Sequence, residues 1–249
     1  MSTEFAFIET DLQDGVAELV LRRPERKNAV TGPMVRELRS AVARCSADDA
    51  CRALLFRGAG GVFCSGLDLK EFNADPRPEW LPSFQQEWRQ LHVQLFELDK
   101  PVICAMESYA INAGAALALA ADFLVAGTNA FLQVGEVLQG RPAPMNVAWL
   151  RLRFGDALTR RVVLPGRRIP GPELERLGIA FEVAGDDRVL ARARELSAEL
   201  AALPPAGLAA TKRALRALDL PGGPNTWFDI AADAVAGARV AGPIASLKR

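Results

Sequence analysis

The sequence predicts an α/β protein with a helical C-terminal region. Short apolar strands recur at residues 53–56, 102–106 and 122–126, and the first two run into turns built of small residues. Beyond residue 185 the chain becomes rich in Ala, Leu, Arg and Glu. Strand, turn and helix alternating at this spacing indicate helices laid against a sheet.

The chain opens as a hairpin, with residues 5–10 and 16–21 extended and Asp11-Leu12-Gln13-Asp14-Gly15 as the turn. Arg22 to Ala29 reads as a polar loop. Residues 33–45 follow as a helix, because Met34, Leu38, Val42 and Cys45 fall on one face. Ala53-Leu54-Leu55-Phe56 is a buried strand leading into Gly60-Gly61-Val62-Phe63-Cys64-Ser65-Gly66-Leu67-Asp68-Leu69-Lys70. Val102-Ile103-Cys104-Ala105-Met106 is a second strand, leading into Ser108-Tyr109-Ala110-Ile111-Asn112-Ala113-Gly114-Ala115-Ala116. Residues 113–121 are small and apolar enough for a fully buried helix, and Asp122-Phe123-Leu124-Val125-Ala126 is a third strand. In the tail, Leu203-Pro204-Pro205 and Leu220-Pro221-Gly222-Gly223-Pro224 separate three helices. The chain thus divides into a core of residues 1–185 and a helical region of residues 186–249.

Composition narrows the partners. Half of the 249 residues are apolar, and 30 basic side chains balance 30 acidic ones. No global field favours nucleic acid or an anionic membrane, so a small ligand is expected. The start of the chain lacks a basic segment followed by an apolar one, and no apolar run is long enough to span a bilayer; a cytoplasmic protein is expected. Cys45, Cys51, Cys64 and Cys104 have neither CxxC spacing nor a neighbouring histidine, which argues against a metal site and fits four reduced, buried thiols. His92 is the single histidine. A Ser-His-Asp mechanism would have to run through it, but its place among Leu91, Leu95 and Leu98 in a helical pattern suits a core residue.

Each of the two turns puts small residues where a strand becomes a helix, leaving backbone N–H groups free to point at a ligand oxygen. Two such turns facing one another make an oxyanion hole, and removing one donor from such a hole costs about 2.7–4 kcal/mol of transition-state stabilisation.

With Arg23-Pro24-Glu25-Arg26-Lys27-Asn28-Ala29, Phe63 to Lys70, Lys100-Pro101-Val102-Ile103-Cys104-Ala105, Tyr109-Ala110 and Asp122 to Gly127 in that order, the chain resembles the enoyl-CoA hydratase/isomerase, or crotonase, family over nearly its whole length. The resemblance implies a crotonase-like spiral of strand-strand-helix units, whose helical C-terminal region builds a homotrimer or homohexamer. It implies an acyl-CoA thioester ligand bound by residues 1–185, with coenzyme A as part of the substrate and no separate cofactor. It places the carbonyl at the Leu67 and Ala113 amides, flanked by Ser65, Gly66, Asp68 and Gly114. Lys70 and Lys27 or Arg26 are candidates for the CoA phosphates, or simply solvated charge.

Hydratases of this family use two glutamates around one water. The position of the first is Ala116 here, which transfers no proton; the second is matched by Glu136 in Leu132-Gln133-Val134-Gly135-Glu136-Val137-Leu138-Gln139-Gly140. Apolar flanks would raise the pKa of Glu136 into the range of a proton shuttle. One carboxylate beside an oxyanion hole suits double-bond isomerisation. The alternatives are a slow hydratase, an acyl-CoA decarboxylase or hydrolase, and a non-catalytic acyl-CoA-binding protein. Between Asp75 and Trp88, prolines and Trp80, Phe84 and Trp88 suggest a lid over the acyl tail, or an ordinary helix packed by aromatic rings. Arg141 and Asn146, in the run after Glu136, are candidate contacts for a polar substrate.

Overall fold

The computed structural model describes residues 5–219 and 228–233. It opens on β1 (Ile8–Gln13) and β2 (Val16–Leu21), paired antiparallel. The turn is shorter than the sequence suggests. Only Asp14 and Gly15 form it, both with positive φ of 49° and 83°. Two successive left-handed residues match the twist of a tight hairpin, so residues 11–13 extend the strand.

Helix α1 (Gly32–Ala47) begins where Thr31 Oγ1 accepts from the Met34 N–H, with a proline in its first turn. Strand β3 (Ala53–Gly58) follows, then the short α2 (Leu69–Phe72) and α3 (Leu81–Glu97). Next come β4 (Val102–Met106), β5 (Tyr109–Ile111), α4 (Ala113–Leu119), β6 (Phe123–Gly127), β7 (Phe131–Gln133) and α5 (Pro144–Val163). The chain continues through β8 (Arg168–Pro170), α6 (Gly171–Arg176), β9 (Glu182–Ala184), α7 (Val189–Ala201) and α8 (Pro205–Asp219). Residues 228–233 are helical. The expected break at residues 220–224 lies outside the described residues, as does most of the third tail helix.

The strands form two sheets, one ordered β1-β2-β3-β4-β6-β9 and parallel beyond its first pair, the other ordered β5-β7-β8. Successive units step between them. β4 lies in the large sheet, β5 in the small one, and α4 closes the unit; β6, β7 and α5 repeat the path. The segment after β3 makes a shorter version, because Cys64 bridges to Ala110 in parallel and thereby extends the small sheet by one residue. This is the strand-strand-helix spiral.

Alternation along the large sheet buries both faces. Leu54, Phe56, Val102, Cys104 and Leu124 join the main core, whereas Ala53, Leu55, Ile103, Ala105 and Val125 meet Val189, Ala193 and Leu196 of α7. A sheet covered on both faces reads as continuous apolar runs. Helix α7 therefore spends its apolar stripe within the fold. Helix α8 is attached differently: Lys212 donates to Asp122 Oδ2 at 2.6 Å and to the Lys100 carbonyl at 2.8 Å, and Arg213 and Arg216 pair with Asp99.

The expectation of four reduced thiols needs correction. Cys45 and Cys51 form a disulfide, with Cα atoms 5.7 Å apart. The turn between α1 and β3, closed by Asp48 N–H to the Arg44 carbonyl and Cys51 N–H to the Asp48 carbonyl, brings these two residues together. Cys64 and Cys104 are free and buried. The cysteines accordingly give no argument for a reducing compartment.

Candidate active site

The two small-residue turns touch. Ile111 N–H donates to the Cys64 carbonyl, and Cys64 N–H to the Tyr109 carbonyl, so the first turn lies alongside β5. Gly66 is held at φ +101°, where a Cβ would come within 3.0 Å of the Ile111 oxygen. At Gly114 a Cβ would come within 2.5 Å of the Cys64 oxygen. Glycine at both positions is what lets the start of α4 approach the loop carrying Leu67. That loop is clamped from the other side, because Val30 N–H donates to the Gly66 carbonyl and Asp68 N–H to the Val30 carbonyl. Neither the Leu67 nor the Ala113 N–H is given to a protein acceptor among the described residues. Ala113 opens α4, where the first N–H groups of a helix have no internal partner.

Leu67, Ala113, Ala116 and Glu136 all line one cavity of about 1190 Å³. Glu136 opens a single 3-10 turn after Gly135. Burial raises its carboxyl to about 7, against the opposing pull of its own backbone N–H and of a hydrogen bond donated by Asn146. Oε1 accepts from Asn146 Nδ2 at 3.0 Å, whereas Oε2 is buried without a partner among the described residues. Ala116, with 1% of its surface exposed, brings no polar group to this wall.

Asn112 ties the second turn to the Glu136 loop. Its N–H donates to the Gln133 carbonyl at 2.8 Å and its Oδ1 accepts from the Gly135 N–H at 2.8 Å. Its own carbonyl accepts from Asn146 Nδ2 at 3.1 Å. These bonds hold it at φ 53°, ψ −110°, a conformation that needs such over-determination in a non-glycine residue. Neither Asn112 as a tie nor Asn146 as the partner of Glu136 is readable from local sequence, since both depend on elements meeting in space.

A model of the enoyl-CoA hydratase/isomerase family matches residues 11–220. The chain belongs to that family. The 1,2-epoxyphenylacetyl-CoA isomerase of Escherichia coli strain K12 is 32% identical over 217 residues, 86% of this chain and 83% of that protein. A solved enoyl-CoA hydratase/isomerase from Xanthobacter autotrophicus Py2 aligns with a TM-score of 0.84 at 28% identity, over 94% of this chain and 89% of that one. A monofunctional enoyl-CoA isomerase from M. smegmatis aligns with a TM-score of 0.73 at 25% identity, over 89% and 97% of the two chains. The protein is thus an enoyl-CoA isomerase/hydratase-like enzyme with the crotonase fold.

Other residues expected at this enzyme's site are placed less uniformly. Ser65, Lys27 and Lys70 line the cavity, and neither lysine is in an ion pair among the described residues. Arg26 also lines it but is paired with Asp68 at 2.8 Å, so its charge is already engaged. Asp68 is a structural hub, accepting from Arg23, Arg26 and the Glu71 N–H at the start of α2. Burial alone would raise its pKa, but these donors, Arg26 foremost, hold it below the ordinary carboxylate range. Gly114 is not part of the lining and acts through close packing. Arg168, to which no sequence motif points, also lines the cavity and sits 4.6 Å over the Phe131 ring, brought there by β8.

On another wall of the cavity, Phe84 and Trp88 stack in parallel with centroids 6.1 Å apart, and Trp80 and Phe72 adjoin them. Trp80 and Phe84 are buried, so the aromatic residues pack the entry of α3 as well as furnishing a wall. His92 is fully buried, accepts from Trp149 Nε1 at 2.8 Å, and is lowered by burial to about 3. It is a neutral core residue. Among the described residues there is no metal-binding cluster and no helix long and apolar enough to cross a membrane.

Proposed function

We propose that this enzyme moves the double bond of an enoyl-CoA thioester, with Glu136 as the single proton carrier. The thioester oxygen would accept from the Leu67 and Ala113 N–H groups, which stabilise the dienolate formed when Glu136 takes a proton from the carbon alpha to the carbonyl. The same carboxyl then returns that proton to the gamma carbon, or the reverse, so no net proton is gained or lost. The observation that carries this reading is the raised carboxyl of Glu136, with one oxygen unpaired among the described residues, in a cavity where Ala116 replaces the other acid of a hydratase. Lys27, Lys70 and Arg168 at the cavity's edge suit the CoA phosphates.

Glu136 must be ionised to take the first proton. Its folded-state pKa of about 7 means that kcat/KM for converting a 3-enoyl-CoA to its 2-enoyl isomer rises with pH through about 7 and then levels off. A pH–rate profile tests this, and a profile flat across neutrality contradicts it.

The assembly follows from the tail. Helix α8 is attached by ion pairs and leaves Leu215 58% exposed, which supports a homotrimer or homohexamer in which these surfaces are covered. Sedimentation as a monomer at micromolar concentration would contradict it. A cytoplasmic location is proposed with it; fractionation of cells with the protein outside the cytoplasm would refute that.

A further inference from the structure

Beside the cavity that contains Glu136 lies a second one of about 540 Å³, lined almost wholly by apolar side chains. Neighbouring residues on three elements line opposite cavities. On the turn after Gly135, Glu136 lines the first and Val137 the second; on α5, Asn146 lines the first and Val147 the second. On helix 228–233, Ala232 lines the first and Ile230 the second. The segment from Arg141 to Pro144 lines both, so a single thickness of chain separates the two spaces.

That partition is held unevenly. Helix 228–233 is fixed by Phe228, buried against His92, Phe96 and Trp149, and by the ion pair of Asp229 with Arg89. The segment from Arg141 to Pro144 is held more lightly. Pro142 and Pro144 have no backbone N–H to give. The Arg141 N–H donates to the Glu136 carbonyl at 2.9 Å, and Gly140 before it has φ +65° with nothing within 4 Å of where a Cβ would stand. Such a glycine has the conformational freedom to act as a pivot for the prolines that follow it.

We propose that the second cavity is a tail pocket, which takes the distal methylenes of a long unbranched acyl chain when Pro142 and Ala143 swing out of its path. The proposal rests on the acyl-CoA reading and names its substrate class, thioesters whose chain extends well beyond the carbons that Glu136 serves. The chemistry of the lining selects that occupant. Its two basic residues are Arg141 and Arg151, and Arg151 is paired with Asp156 at 3.3 Å, so the lining suits methylenes better than a polar chain end. Each methylene moved from water into apolar surroundings favours binding by about fourfold. No bond is made or broken in this pocket.

Calorimetric titration of the full chain with butyryl-, octanoyl- and dodecanoyl-CoA tests the pocket without any turnover. Dodecanoyl-CoA should bind wild type at least about tenfold tighter than octanoyl-CoA. Val163→Trp and Ile230→Trp fill the second cavity from different elements, and neither residue lines the first. Either variant should bring that ratio toward one while leaving the affinity for butyryl-CoA unchanged; a folding defect in one of them would weaken butyryl-CoA as well, and the other then decides. Equal affinity of wild type for the two longer thioesters would overturn the tail pocket, as would a preference that survives both substitutions. Variants that sediment as smaller species with the chain-length preference intact would also overturn it, and would make the cavity a contact between copies of the chain. Failure of every thioester to bind wild type would overturn the acyl-CoA reading itself.

Discussion

Replacing Glu136 with glutamine is expected to slow double-bond migration in an enoyl-CoA by about 10²–10⁴-fold, the usual contribution of a general acid-base group. Thioester affinity should change little. Glutamine keeps the shape of the side chain and an oxygen for Asn146 Nδ2, and the Leu67 and Ala113 amides are untouched. Stability should move the other way. Burial raises the folded-state pKa of Glu136 to about 7 from 4.5, so the protein favours the protonated acid. That preference is fully present below the unfolded value and is lost progressively as pH rises toward 7. A glutamine side chain in its place does not ionise, so thermal unfolding should find Glu136→Gln at least as stable as wild type above neutrality, with less dependence on pH. Lost activity accompanied by lost stability at high pH would point to a structural role instead.

Ala116→Glu is expected to raise hydration of a 2-enoyl-CoA by about 10²-fold. The side chain belongs to the Ala113–Leu119 helix and lines the same cavity as Glu136, so a carboxyl added there enters that cavity from the opposite element. Two carboxyls in one cavity repel each other when both are charged, so the pH optimum should move upward together with the gain. The gain should vanish in the double variant with Glu136→Gln. Steady-state hydration assays on the four proteins read both effects. A gain that survives loss of Glu136 would mean that the new acid works alone.

Much of the core was legible because parallel strands buried on both faces are continuous apolar runs, as in residues 53–56 and 102–106. The fully buried small-residue helix after Asn112 was legible for the same reason, and the Gly66 and Gly114 turns were marked by residue types that few other environments require. Glu136 was singled out through the family pattern and its apolar flanks. What escaped local reading depended on distant partners. Asn112 and Asn146 become a network only because β7, α4 and α5 meet. Asp68 lies in the motif but is held by Arg23 and Arg26 from the early loop. The Cys45–Cys51 bond depends on a turn whose closure no spacing rule announced. The hairpin was misjudged in length because Asp11 and Gln13 look like turn residues, whereas the paired left-handed conformations of Asp14 and Gly15 alone reverse the chain.

Glu136 is proposed to carry a proton between carbons of a bound acyl-CoA. Proton NMR of a 3-enoyl-CoA incubated with the enzyme in deuterated water measures this directly. The double bond should move into conjugation with the thioester, deuterium should enter at the alpha or gamma carbon, and both changes should fall together, about 10²-fold or more, in Glu136→Gln. Migration and exchange that proceed undiminished in that variant, or a wild-type enzyme that binds the thioester and exchanges nothing, would contradict the assignment.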